Sequence, residues 1–178
     1  MDEITLRCNA HHEAAHAVVF LTLNVDVDRI GIWEAHGDRR AGGLCLDDPN
    51  PDRKYETAVA SLAGIESDRY LLENNQEELQ NRTCGWENDR NRANQLLEEL
   101  RIEGHSGYSL QGAEVEAAGL VRHHWERIQK IAEALISRYW SNHRERARGF
   151  LGEATHTEAW IHGFEMNALF DQPEPREG

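Results

Sequence analysis

Between about Leu6 and Leu23 the chain runs without Gly or Pro through residues rich in Ala, Leu and Val, and in the middle of that run stands His12-Glu13-Ala14-Ala15-His16. The run reads as a helix. Residues four apart on a helix differ by about 40° in direction, so both imidazoles project from one face and can hold one Zn²⁺. Glu13 sits beside the first imidazole, within reach of a metal-bound water. Two neutral nitrogens would hold the cation, the metal would lower the water's pKa towards neutrality, and a carboxylate would take its proton. With 10 histidines in the chain, accident alone supplies about 0.07 such matches. The pattern therefore needs a third ligand before it becomes a site.

The rest of the chain supplies a frame. Val25 to Trp33 alternates in part and Gly42 to Leu46 follows a polar turn with Gly37 and Asp38, which predicts two short strands in an antiparallel pair. Asn50-Pro51 is a helix start, since Asn caps and Pro is tolerated where no N–H is needed. Tyr55, Ala58, Val59, Leu62 and Ala63 carry that helix towards Leu72. After the polar stretch Glu73 to Arg82, a third helix begins near Asn88, with Ala93, Leu96, Leu97 and Leu100 on one side, and Gly104, Gly107 and Gly112 mark a loop. Ala118, Val121, Trp125, Ile128, Ala132, Leu135 and Tyr139 are spaced as one long helix with a narrow apolar seam, suited to core packing or to a partner helix. Thr155-His156-Thr157-Glu158 reads as a capping box opening a last helix through Trp160, Ile161, Phe164, Ala168 and Leu169, and the tail from Asp171 to Gly178 is expected to be mobile.

Composition narrows the function. At 178 residues the chain is the size of one domain, and its net charge of −13 repels phosphate backbones and acidic lipid surfaces. Nucleic-acid and membrane-surface roles are not expected. Cys8, Cys45 and Cys84 form no C-x-x-C pair, Met1 to Thr5 is acidic where a signal peptide is basic, and the longest apolar run, Ala17 to Leu21, is too short to span a bilayer. A cytoplasmic, soluble protein is the expectation. The other histidines read as non-ligands. His11 points about 100° round the helix from His12, His123 and His124 flank the seam as partly exposed groups, and His36, His105, His143, His156 and His162 fall in loops or on polar faces.

The longer metzincin pattern would need Gly near position 19 and His near 22, where this chain has Val19 and Thr22. A different order of motifs does match. His12-Glu13-Ala14-Ala15-His16-Ala17, then Ala41-Gly42-Gly43-Leu44, then Pro49 to Tyr55 with Asp52, then Leu62-Ala63-Gly64, then Thr83-Cys84-Gly85-Trp86-Glu87-Asn88-Asp89 follow one another along residues 6–103. In that order the chain resembles the zinc peptidase domain of FtsH-type AAA proteases. That family reads H-E-A-G-H-A, an A-L-G-type segment, P-x-x-D-x-x-x-Y, L-G-G-R-x-A-E and T-x-G-x-x-N-D, and closes with two helices, similar here in pattern only, through Glu114 to Tyr139 and Thr155 to Phe170. Ala15 replaces a family Gly, Ile65 the Arg, and Arg90 an apolar position.

The resemblance implies a mainly α fold with a small antiparallel β element, of zincin-like FtsH peptidase-domain architecture. It implies one domain over 1–170, with a zinc-site half at 6–103, closing helices at 113–170 and an acidic tail at 171–178. It also implies Asp89 as the third zinc ligand beside His12 and His16, although an Asp in a first helical turn equally serves as a cap. The family's Glu near the metal falls on Asp68, one methylene shorter, which reads equally as a solvated helix carboxylate. The expected function is a soluble, ATP-independent zinc metallopeptidase, with Glu13 as general base towards a zinc-activated water. No P-loop is present in the sequence, so substrate unfolding is not expected of it. The expected substrate is a peptide or unfolded protein, lying along the strand edge Ala41 to Cys45 by its place in the family pattern. The alternative is a catalytically silent zinc-binding adaptor or regulatory module. The 118–139 seam would then serve a homo-oligomer or a partner helix.

Overall fold

A computed structural model describes residues 1–35, 40–47, 51–74, 86–147 and 156–170 of the chain. Among them, six helices and a small antiparallel sheet follow in order: α1 (Glu3–Thr22), β1 (Val27–Ala35), β2 (Arg40–Asp47), a 3₁₀ turn (Pro51–Arg53), α2 (Lys54–Glu73), α3 (Trp86–Ile102), α4 (Leu110–His123), α5 (Trp125–Ala147), β3 (His156–His162) and α6 (Gly163–Phe170). No helix among the described residues is long and apolar enough to cross a membrane.

Helix α1 starts where Asp2 caps it, its Oδ1 accepting from the Thr5 N–H at 2.8 Å. It stops in a Schellman turn. Asn24 adopts φ 56°, its N–H donates to Leu21 O and the Val25 N–H to Phe20 O, and Asn is among the few residues that enter the left-handed region cheaply. Between these ends, every residue from Asn9 to Phe20 is buried. α1 is a central helix, covered by α2, α5, β1 and β2. A helix enclosed on all sides needs no polar face, which is why the run tolerates Ala and Val all round. α2 is enclosed in the same way, buried continuously from Thr57 to Ser67, so its apolar character extends well beyond the stripe of Tyr55, Ala58, Val59, Leu62 and Ala63.

The strand pair forms, with Ile30 opposite Cys45 and Ile32 opposite Gly43. The sheet has a third member that the sequence reading assigns to helix. His156–His162 is strand β3, antiparallel to β1, giving the order β2-β1-β3. The capping-box expectation therefore fails, and only Gly163–Phe170 is helical. The cause is a period of two that the box obscured: Thr157, Ala159 and Ile161 are buried while Glu158 and Trp160 are only half-buried. Ile161 faces Ile30 and Ala159 faces Ile32 across the ladder. On the opposite face Trp160 lies over Gly31, where an added Cβ would meet the indole ring at 2.3 Å. The Arg29 guanidinium sits 4.9 Å from the centroid of the same ring.

Two other expectations are corrected. The long seam helix is interrupted at His124, which caps α4 through its N–H to Leu120 O at 3.0 Å before α5 begins. His124 is buried there, whereas the sequence placed it partly exposed. Gly112 lies inside α4 and not in the loop, because Ser109 caps that helix by accepting from the Gly112 N–H at 3.1 Å. The apolar seam is spent inside the chain: Val121, Ile128, Ala132, Leu135 and Tyr139 are buried as α4 packs on α2 and α5 on α1 and β3. It is not a free surface for a partner helix. Leu135→Ala is accordingly expected to cost about 2–5 kcal/mol in denaturant unfolding while leaving the mass in solution unchanged. A change of oligomeric state without that loss of stability would contradict the core assignment. The expected helix cap Asn50, the segment Thr83 to Gly85, His36 and the tail 171–178 lie outside the described residues.

Candidate metal centre

The site is built where three helices meet. α1 supplies His12, Glu13 and His16, each only 6% exposed. α2 crosses this face with Ala60, Gly64 and Asp68, four residues apart and therefore in one row. α3 brings Asp89 in its first turn. The structure thus gathers His12, His16 and Asp89 into one cluster, with a ligand atom from each within 4.8 Å of the others.

The distances suit a cation. Asp89 Oδ2 lies 3.0 Å from His12 Nε2 and 3.5 Å from His16 Nε2. Ligand atoms about 2.0–2.1 Å from a tetrahedral Zn²⁺ stand about 3.3 Å apart, close to both of these separations.

The opposite ring nitrogens are equally informative. His12 Nδ1 is 3.0 Å from Asp68 Oδ2 and His16 Nδ1 is 2.8 Å from the Ala60 carbonyl oxygen. A carboxylate and a carbonyl only accept, so both Nδ1 atoms carry the proton and donate. Each ring then directs Nε2 at the cluster centre. Metal-binding histidines are held in this way, through the other ring N–H, by a carboxylate or a backbone carbonyl. Asp68 is thus placed on His12 and is only 12% exposed; it is not a solvated carboxylate.

Electrostatics point the same way. Three carboxylates, Glu13, Asp68 and Asp89, crowd two imidazoles in a buried space. Burial disfavours charge on His12, but Asp68 and Asp89 outweigh it and hold the imidazole well above its ordinary pKa. Burial likewise pushes Asp89 up, and the hydrogen bonds with His12 and His16 overcome this and bring it below the usual carboxylate range. The three carboxylates thus favour positive charge at this place, and His12, His16 and Asp89 are a group that could hold a metal ion. Glu13 is pushed up by burial, pulled back by His12 and His16, and pushed up further by Asp89 and Asp68.

No family model and no curated protein matches this chain.

Two residues of the site carried no assigned role in the sequence reading. Gly64 lies so close to the imidazoles that a Cβ there would stand 2.5 Å from His12 Nε2 and 2.6 Å from His16 Nε2. Trp86 donates its indole N–H to Asp68 Oδ2 at 2.6 Å. The row Ala60, Gly64, Asp68, at a spacing of four, was the available signal, because it marks a small-residue face ending in a carboxylate. The other histidines remain elsewhere: His11 donates through Nδ1 to Arg7 O at 2.8 Å and stacks on Trp125, and His123 and His105 are exposed. Of the positions that depart from the family pattern, Ile65 is buried in the core and Arg90 pairs with Glu114 at 2.9 Å.

Proposed function

We propose that the chain is a zinc metallopeptidase of the FtsH peptidase-domain type, acting on peptides or unfolded protein segments without a nucleotide. The observation that carries this reading is the convergence of His12 Nε2, His16 Nε2 and Asp89 Oδ2, with both imidazoles held from behind by Asp68 and Ala60 O. The order of motifs along residues 6–103 supports it, as does a mainly helical fold with a small antiparallel sheet. A zinc ion bound there supplies Lewis acidity towards water and towards the scissile carbonyl.

The chain's own groups do the rest. His12, His16 and Asp89 would hold the cation, which would supply the Lewis acidity that activates a water. Glu13, next to His12 in sequence and buried, is the base that receives the proton of the attacking water. Its raised pKa brings it nearer the range in which it can also hold that proton and release it to the departing amine. The two steps balance: water adds to the carbonyl carbon, the C–N bond breaks, and the proton travels from water to amine through one carboxyl group. The edge of β2, at Ala41 to Cys45, is the proposed resting place for an extended substrate.

The test combines metal content with cleavage of a peptide library. The zinc-loaded protein is expected to hold one equivalent and to cleave, with cleavage lost on chelation. Asp89→Ala is expected to lower zinc occupancy strongly and abolish cleavage. Stoichiometric zinc without cleavage of any peptide would favour the silent zinc-binding module. Wild-type protein that takes up no zinc, with Asp89→Ala indistinguishable from it, would remove both readings.

A further inference from the structure

Trp86 opens α3 three residues before Asp89, so the two side chains share a face of that helix. Its indole N–H points at Asp68 Oδ2, 2.6 Å away, and the same oxygen accepts from His12 Nδ1 at 3.0 Å. Two donors from two different helices therefore converge on one oxygen of a third. The indole ring is itself held, with the Arg69 guanidinium 5.7 Å from its centroid. Packing alone asks only for an aromatic ring at this place; the short N–H contact asks for indole.

We infer that Trp86 is a positioning residue of the metal centre, fixing the carboxylate of Asp68 and through it the orientation of His12. This rests on the reading of His12, His16 and Asp89 as a metal site. An aspartate carboxylate turns broadly about its last torsion; a second donor from α3 removes that freedom and leaves Oδ2 aimed at His12 Nδ1. The arrangement also joins the two halves of the site. One turn of α3 delivers Asp89 to the cation and, through Trp86, steadies the imidazole that α1 contributes.

The experiment is a double-mutant cycle read by Co²⁺ titration, with Co²⁺ as a spectroscopic stand-in for zinc and competition to give affinities. Loss of an outer contact to a metal-binding histidine typically weakens binding about 10–100-fold. Trp86→Phe, which keeps an aromatic ring and removes the N–H, is expected to weaken Co²⁺ binding about tenfold and to shift the visible absorption of the bound ion. Asp68→Ala is expected to weaken binding about 10–100-fold. Adding Trp86→Phe to Asp68→Ala is expected to cost nothing more, because with the carboxylate gone Trp86 has nothing to orient. Wild-type affinity and spectrum in Trp86→Phe, or losses that add in the double variant, would overturn the inference while leaving the metal site intact. Failure of wild-type protein to bind Co²⁺ at all would overturn the metal-site reading and this inference with it. If Trp86→Phe does not fold, the wild type decides: of the five tryptophans, one indole N–H signal is expected to move when zinc is added, and a spectrum in which none moves would overturn the proposal.

Discussion

Gly64→Ala is expected to remove metal binding and to lower the stability of the metal-free protein. The added Cβ would stand 2.5 Å from His12 Nε2 and 2.6 Å from His16 Nε2, well inside van der Waals contact. These are not loose side-chain ends that can swing away. His12 is tied through Nδ1 to Asp68 and His16 through Nδ1 to Ala60 O, and Asp68 and Ala60 lie one turn either side of Gly64 on the same helix. Relief requires either turning both rings off their hydrogen bonds or moving α2 away from α1. Overpacking of this kind costs about 1–3 kcal/mol, and zinc affinity is expected to fall by more than the roughly 100-fold seen when an outer contact is lost. A control lies in the same molecule. Gly119 in α4 has nothing within 4 Å of its added Cβ, so Gly119→Ala is expected to stabilise by about 0.5–1 kcal/mol through helix propensity alone. Denaturant unfolding and zinc competition on the two variants check both signs. Gly64→Ala with wild-type affinity would mean that the imidazoles are not packed against α2 as described.

That contrast also marks what the sequence could say. H-E-x-x-H on a helix was legible because its meaning depends on two residues and one period, and α1 has that period. The contact of Asp89 with His12 was reachable only through the order of motifs, since no local rule joins positions 77 apart. Asp68 was reachable through the same order of motifs, but the roles of Ala60 and Gly64 depend on which side of α2 meets α1. A helix buried from Thr57 to Ser67 does not announce that side by hydrophobicity. β3 was hidden for a related reason. Thr155 and Glu158 imitate a capping box, while the alternation of Thr157, Ala159 and Ile161 spans only three inward positions. The ladder to β1 is a tertiary contact, and it decides the outcome against a local pattern. The seam had the right inward residues from Val121 to Tyr139, whereas Ala117 and not Ala118 is buried; its continuity was wrong, because nothing in its spacing signals the break at His124.

Glu13→Gln is expected to retain one equivalent of zinc and to lose peptide cleavage by about 10²–10⁴-fold, the usual contribution of a positioned general base. Gln matches Glu in size and is not among the three groups that gather as ligands, so metal content separates this variant from Asp89→Ala. The metal-free protein offers a second, independent check. Burial above all raises the Glu13 pKa from its ordinary 4.5, so the folded state favours the protonated carboxyl more than the unfolded chain does. The stability linked to that preference is whole below about pH 4.5, the unfolded value, and is lost as pH rises through the higher folded value. Gln cannot ionise and escapes the loss. The unfolding temperature of metal-free Glu13→Gln, measured against metal-free wild type, is therefore expected to gain as pH is raised above about 4.5. A gap that does not change with pH would mean that Glu13 ionises freely in the fold and is not the desolvated base the site requires. Cleavage at the wild-type rate would assign the proton transfer to another group.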